Sequence, residues 1–174
     1  PVLEKIEARL QHNADHPDIA PLSTTLSRMQ RAQRFKEDLQ YFLGPGWEAN
    51  YKTTEPVQRY LAHLDAVEKE DPALLLVYSF HMHMAICAGG AIIRRMARKA
   101  MDLPKGCGTA IFDFQLPDDE YLNTLKSDYR AGINTLGEKR GEEFQGRVLE
   151  ESGMLFKLNN TVVGDFQAGW FATL

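Results

Sequence analysis

Apolar positions recur at three- and four-residue intervals along most of the chain, the period of helices buried on one face. Val2, Leu3, Ile6 and Leu10 predict an amphipathic first helix. Pro17 and Pro21, in the stretch from Asn13 to Pro21, break it. A second helix is predicted from about Leu26 to Leu43, turning Met29, Phe35, Leu39 and Phe42 inward and stopping at Gly44-Pro45-Gly46. Thr53, Thr54 and Glu55 cap a helix that opens at Pro56 and presents Val57, Tyr60, Leu61 and Leu64. Pro117-Asp118-Asp119-Glu120 opens a further helix to about Leu136, its acids favoured by the helix dipole. A last helix runs from about Lys139 to Phe166, with Val148, Leu155, Phe156, Leu158 and Val162 as inward positions. No segment alternates with period two, so the predicted class is all-α, in a single domain over residues 1–174.

One stretch departs from the amphipathic pattern. From Ala73 to Ile93 there is no Asp, Glu, Lys or Arg. A membrane-spanning helix needs about 20 such residues, and a helix buried on all sides at the centre of a bundle is apolar all round in the same way. His81 and His83 near its middle would be costly in lipid, so the buried helix is the reading adopted. A basic continuation follows at Arg94, Arg95, Arg98 and Lys99. Its default reading is a solvated face, with a partner contact as the alternative.

Composition adds few constraints. The 174 residues carry 20 Lys plus Arg against 24 Asp plus Glu, a formal charge of −4. That balance gives no general attraction to nucleic acid. Cys87 and Cys107 form neither a metal motif nor a disulfide framework; Cys87 reads as core. The first residue is Pro1, which suggests processing or trimming, and no signal peptide is visible. The expected setting is intracellular, a mitochondrion or plastid if a targeting segment has been removed.

Candidate chemistry is sparse. Gly89-Gly90 costs about 1 kcal/mol per residue relative to Ala inside a helix. The pair therefore marks a close approach: a flat ligand, a neighbouring helix or a kink. His81 and His83, two apart, point about 200° from each other on a helix and cannot chelate one metal ion. His63 reads as a helix-surface residue. Lys126 and Arg130 share a helix face and could clamp carboxylates or phosphates, or simply be solvated.

Several segments together resemble the heme oxygenases of animals and other eukaryotes. They are Asp38-Leu39 with Phe42-Leu43-Gly44-Pro45-Gly46-Trp47, Pro56-Val57-Gln58-Arg59-Tyr60, Gly89-Gly90 and Lys99-Ala100-Met101-Asp102-Leu103-Pro104. Phe112-Asp113-Phe114, Leu125 through Leu136 and Phe156-Lys157-Leu158-Asn159 continue the match in register. The resemblance implies a helical bundle that holds heme between a proximal helix and a kinked distal helix, here Ala73 to about Met101. It assigns Gly89, Gly90, Lys126, Arg130, Phe156 and Asn159 to the heme pocket, with Lys126 and Arg130 as the propionate pair.

The departures point the other way. The family's distal motif is Gly-Asp-x-Ser-Gly-Gly; here Ala85-Ile86-Cys87-Ala88-Gly89-Gly90 stands in its place. Ile86 replaces the acid that anchors the proton-delivering water network. Met82 and Thr24 stand at the positions of its Arg and Tyr. The family's iron-ligating His lies on a helix before the one that begins near Val2; His12, His16, His63, His81 and His83 do not match it. The implied protein lacks that first helix, a catalytic residue and a metal ligand. It is a catalytically inactive relative serving as a structural or interaction subunit of a larger assembly. No cofactor, nucleic-acid partner or transmembrane segment is expected. The alternatives are an active heme oxygenase yielding biliverdin, carbon monoxide and ferrous iron, or a non-catalytic tetrapyrrole-binding protein.

Overall fold

The computed structural model describes residues 1–115 and 119–172. It is helical, with no strand among the described residues. The helices are α1 (Val2–His12), α2 (Ser23–Met29), α3 (Ala32–Leu43), α4 (Trp47–Asn50), α5 (Glu55–Glu70), α6 (Leu75–Ala100) and α7 (Asp119–Ala172). Single 3-10 turns cover Ala20–Leu22, Pro72–Leu74 and Ala110–Phe112.

α6 is the central element, packed against α1, α5 and α7. Each residue from Leu75 to Ser79 is buried, which explains why that part of the sequence shows no polar face. α1 adds Leu3, Ile6 and Leu10 to the core, and α5 adds Val57, Tyr60, Leu64 and Val67. α6 is the one helix, among the described residues, long and apolar enough to cross a membrane by length and composition.

The helix predicted from Leu26 to Leu43 is two helices. Gln30 (φ −53°, ψ 126°) is extended and breaks it. The cause is a carboxylate from α1. Glu7 accepts from the backbone N–H of Arg31 at 2.6 Å and of Ala32 at 3.1 Å, capping α3 from outside its own sequence. The two helices predicted to meet between Leu136 and Lys139 instead meet at Gly141 (φ 80°, ψ −173°), a conformation that favours glycine. Pro117 and Asp118 lie outside the described residues. Thr54 holds the N-cap position of α5, but its hydroxyl makes no capping bond.

Buried polar side chains fix the loop that passes α6. Asp38 accepts from the backbone N–H of Ala110 at 2.6 Å and of Ile111 at 2.9 Å. Arg31 donates to the Asp113 carbonyl at 2.8 Å, and its guanidinium lies 4.1 Å over the Phe114 ring. These contacts seat Phe112 against Gly90, where an added Cβ would lie 2.8 Å from Phe112 Cδ1. Gly90 thus serves a close loop-to-helix approach, and α6 continues as a helix through the glycine pair.

Candidate functional site

A cavity of about 960 Å³ opens beside the middle of α6. Met82, Ala85 and Ile86, one helical turn of one face, form its wall. Phe35 and Leu39 of α3, Trp47, Tyr51, and Val57 of α5 face them. Leu155, Phe156, Asn159 and Val162 close the end formed by α7. Phe35 and Phe156 were predicted to point inward; they are 41% and 56% exposed because they border this opening.

Three polar groups lie at one edge, and they satisfy one another. Lys36 Nζ lies 2.7 Å from Glu4 Oε1 and 3.1 Å from Glu48 Oε1. Donating to the Glu4 and Glu48 carboxylates holds the Lys36 ammonium above its ordinary pKa. His81 also borders the cavity, its Nε2 3.0 Å from Ser152 Oγ. Ser152 spends its own proton on the Val148 carbonyl at 2.8 Å, so His81 Nε2–H is the donor and Nδ1 is left as an acceptor. Burial lowers the His81 pKa and favours the neutral ring. Its ring packs edge-to-face on Phe156, centroids 5.3 Å apart.

The sequence-derived site residues separate into groups. Ile86, Phe156 and Asn159 meet in the cavity. Gly89 and Gly90 lie on the next turn of α6, Gly90 covered by Phe112. Lys126 and Arg130 do not line the cavity; Lys126 lies on the side of α6 that carries Cys87, whose thiol its charge pulls down. Burial outweighs that pull and pushes the Cys87 pKa up to about 11. Cys87 is core, as the sequence implied.

A second polar centre lies within the bundle. His83 is 1% exposed, with Nε2 2.9 Å from Glu7 Oε1 and Nδ1 2.7 Å from the Ser79 carbonyl. Tyr129 OH donates to Ser79 Oγ at 2.7 Å. This chain of bonds ties α7, α6 and α1 to the start of α3 and borders a smaller cavity of about 300 Å³ that also touches Thr24. His63 is not a plain surface residue. Its Nε2 lies 2.8 Å from Tyr78 OH and 2.9 Å from Glu151 Oε2, and Tyr78 OH donates to that carboxylate at 2.5 Å. Burial, then Glu151, raises the Tyr78 pKa. Spacing could not reveal these groups, because the carboxylates that complete them, Glu7 and Glu151, are more than 70 residues away in sequence. No group of three metal-ligating side chains occurs among the described residues.

Comparison with known proteins gives a consistent result. The heme oxygenase family profile matches residues 1–165. The chain is 29% identical over 170 residues to heme oxygenase 2 of Rattus norvegicus, covering 97% of this chain and 52% of that protein. It is 30% identical over 166 residues to heme oxygenase 2 of Mus musculus, covering 94% and 51%. It thus spans about half the length of these curated relatives. Among solved structures, heme oxygenase 2 from Chlamydomonas reinhardtii without heme superposes with a TM-score of 0.86 at 32% identity, over 94% of this chain and 76% of that one. Heme oxygenase-2 from Synechocystis in complex with heme and NO gives 0.90 at 27% identity, over 99% and 70%.

Proposed function

We infer, from the premise that this chain belongs to the heme oxygenase family, that it is a non-catalytic member acting as a structural or interaction subunit of a larger assembly. The single observation that carries this reading is the cavity wall on α6. Met82, Ala85 and Ile86 offer no side-chain group able to hold a water or pass a proton. The nearby carboxylates are committed elsewhere. Glu4 and Glu48 are engaged by Lys36, and Glu7 is engaged by His83 and the start of α3.

The size and apolar lining of the cavity favour a second reading, a tetrapyrrole carrier without redox chemistry. The residues fit the apolar body of such a ligand: Phe35, Trp47, Tyr51 and Phe156 supply aromatic faces and Met82 a polarisable one. They fit its carboxylates less well, because Lys126 and Arg130 lie outside the lining.

Titration with hemin, followed by absorption spectroscopy and then by incubation with an electron-donating reductase, separates the readings. No Soret change supports the structural role. A Soret change without biliverdin supports the carrier. Formation of biliverdin with release of carbon monoxide overturns both.

A further inference from the structure

We propose that the C-terminal half of α6 is a docking surface for an anionic lipid bilayer. The inference stands apart from the cavity and from what the cavity holds.

The sequence changes character at Ile93, where the uncharged run becomes Arg94-Arg95-Met96-Ala97-Arg98-Lys99. At about 100° per residue, Ile92, Ile93, Met96 and Ala100 share an arc of about 100°. Arg95 and Lys99 border that arc on one side. Arg94, Ala97 and Arg98 fall on the half-buried side. The apolar arc is uncovered: Ile92 is 57% exposed, Ile93 50% and Met96 64%, with Met101 at 56% just past the helix end. A single exposed apolar side chain is ordinary, but a contiguous stripe of them is not.

The charges on this stretch are also concentrated, with five cations within the twelve residues from Arg94 to Lys105. Elsewhere the basic side chains Lys5, Arg9, Lys36, Arg59 and Arg147 are paired with carboxylates. Arg94, Arg95, Arg98, Lys99 and Lys105 make no ion pair among the described residues. Between Arg94 and Lys105 the only acid is Asp102. A concentrated cationic end therefore sits on a chain of net charge −4.

Shape and charge together select the occupant. The stripe lies outside the cavities described above, which reach along α6 only to Ile86. An exposed helical face of Ile and Met flanked by Arg and Lys instead suits a bilayer interface. There the apolar side chains enter the headgroup boundary while the cations meet anionic headgroups. The acidic remainder of the chain would be repelled by the same surface, which orients the molecule with this end down.

Co-sedimentation of the full chain with vesicles tests the assignment. Binding is expected to phosphatidylcholine vesicles containing phosphatidylserine, to be weak without it, and to fall as salt is raised. Arg95→Gln with Lys99→Gln should weaken binding about 25-fold, at about fivefold per cation. Ile92→Ser with Met96→Ser should weaken it as well. These side chains are exposed, so unchanged thermal melts verify the fold of both variants, and Arg59→Gln on α5 should bind as the wild type does. Equal binding with and without phosphatidylserine, or wild-type binding by both double variants, overturns the proposal. Retention on immobilised polyglutamate without vesicle binding also overturns it, in favour of an acidic protein partner.

Discussion

Glu7 is the side chain whose removal should disturb the most structure for its size. Its carboxylate caps α3 through the N–H groups of Arg31 and Ala32, and it also accepts from His83 Nε2–H. Glu7→Ala removes a helix cap, which costs about 1 kcal/mol. It also leaves the His83 N–H, 1% exposed, without its acceptor, at a further ~1–3 kcal/mol. The expected loss is therefore about 2–4 kcal/mol, near 5–15 °C in melting temperature for a domain of this size. Glu7→Gln keeps one acceptor oxygen and should lose about half as much. Adding His83→Leu to Glu7→Ala removes the stranded donor, so the double variant should be less destabilised than the sum of the two single changes, by about 1 kcal/mol. Thermal and urea melts of the four proteins give the cycle. A Glu7→Ala loss below about 0.5 kcal/mol, or strictly additive effects, would refute the role assigned to this carboxylate.

Other substitutions probe separate parts of the fold. In Gly132→Ala the new Cβ would lie 2.2 Å from Leu22 Cδ2, a buried side chain. Overpacking of about 1–3 kcal/mol should exceed the helix-propensity gain of about 1 kcal/mol; a higher melting temperature would contradict that packing. Tyr60 is 1% exposed and its hydroxyl has no hydrogen-bond partner. Tyr60→Phe should therefore leave stability unchanged or raise it by up to about 1 kcal/mol, and a loss in urea melts would reveal a bond the structure does not show. Burial alone would raise the Asp18 pKa, but Lys139 and Arg140, at 2.7 and 2.5 Å, outweigh it and hold the carboxyl below its ordinary value. A depressed folded-state pKa stabilises above the unfolded value near 3.9 and is lost as pH falls through the folded one. Melting temperature of the wild type should thus drop more steeply than that of Asp18→Asn below about pH 4. Parallel acid profiles would rule out this contribution.

The helices were legible wherever burial is one-sided or complete. Leu3, Ile6 and Leu10, or Val57, Tyr60 and Leu64, state their own faces through spacing. The break at Gln30 was not legible, because the group that makes it favourable, Glu7, belongs to another helix. Asp38, Arg31 and His83 likewise look like surface or ambiguous residues until the fold supplies distant partners. The break at Gly141 did carry a local signal, but nearby Gly137 offered the same one, and only the backbone chose between them.

The candidate site divides in the same way. Ile86, Phe156 and Asn159 were found through resemblance. Phe35, Trp47, Tyr51 and His81 required the folded chain, since no local pattern says that α3, α4 and α6 border one space. That assembly also strengthens the argument against oxygen activation. From sequence, the loss of an acid at Ile86 left open a replacement by another carboxylate brought in by the fold. The fold does bring in Glu4 and Glu48, but it places them at the edge with Lys36 between them. Moving either one to serve a water beside Ile86 would break an ion pair and place a carboxylate against an apolar wall, where charge is unfavourable without a partner. His81 is the one titratable side chain of α6 on the cavity; burial lowers its pKa and so disfavours the protonated ring, and Nε2–H is committed to Ser152. In the neutral ring Nδ1 can receive a hydrogen bond from a ligand, while the Nε2 proton is held by Ser152 and not directed at the cavity wall of Met82, Ala85 and Ile86.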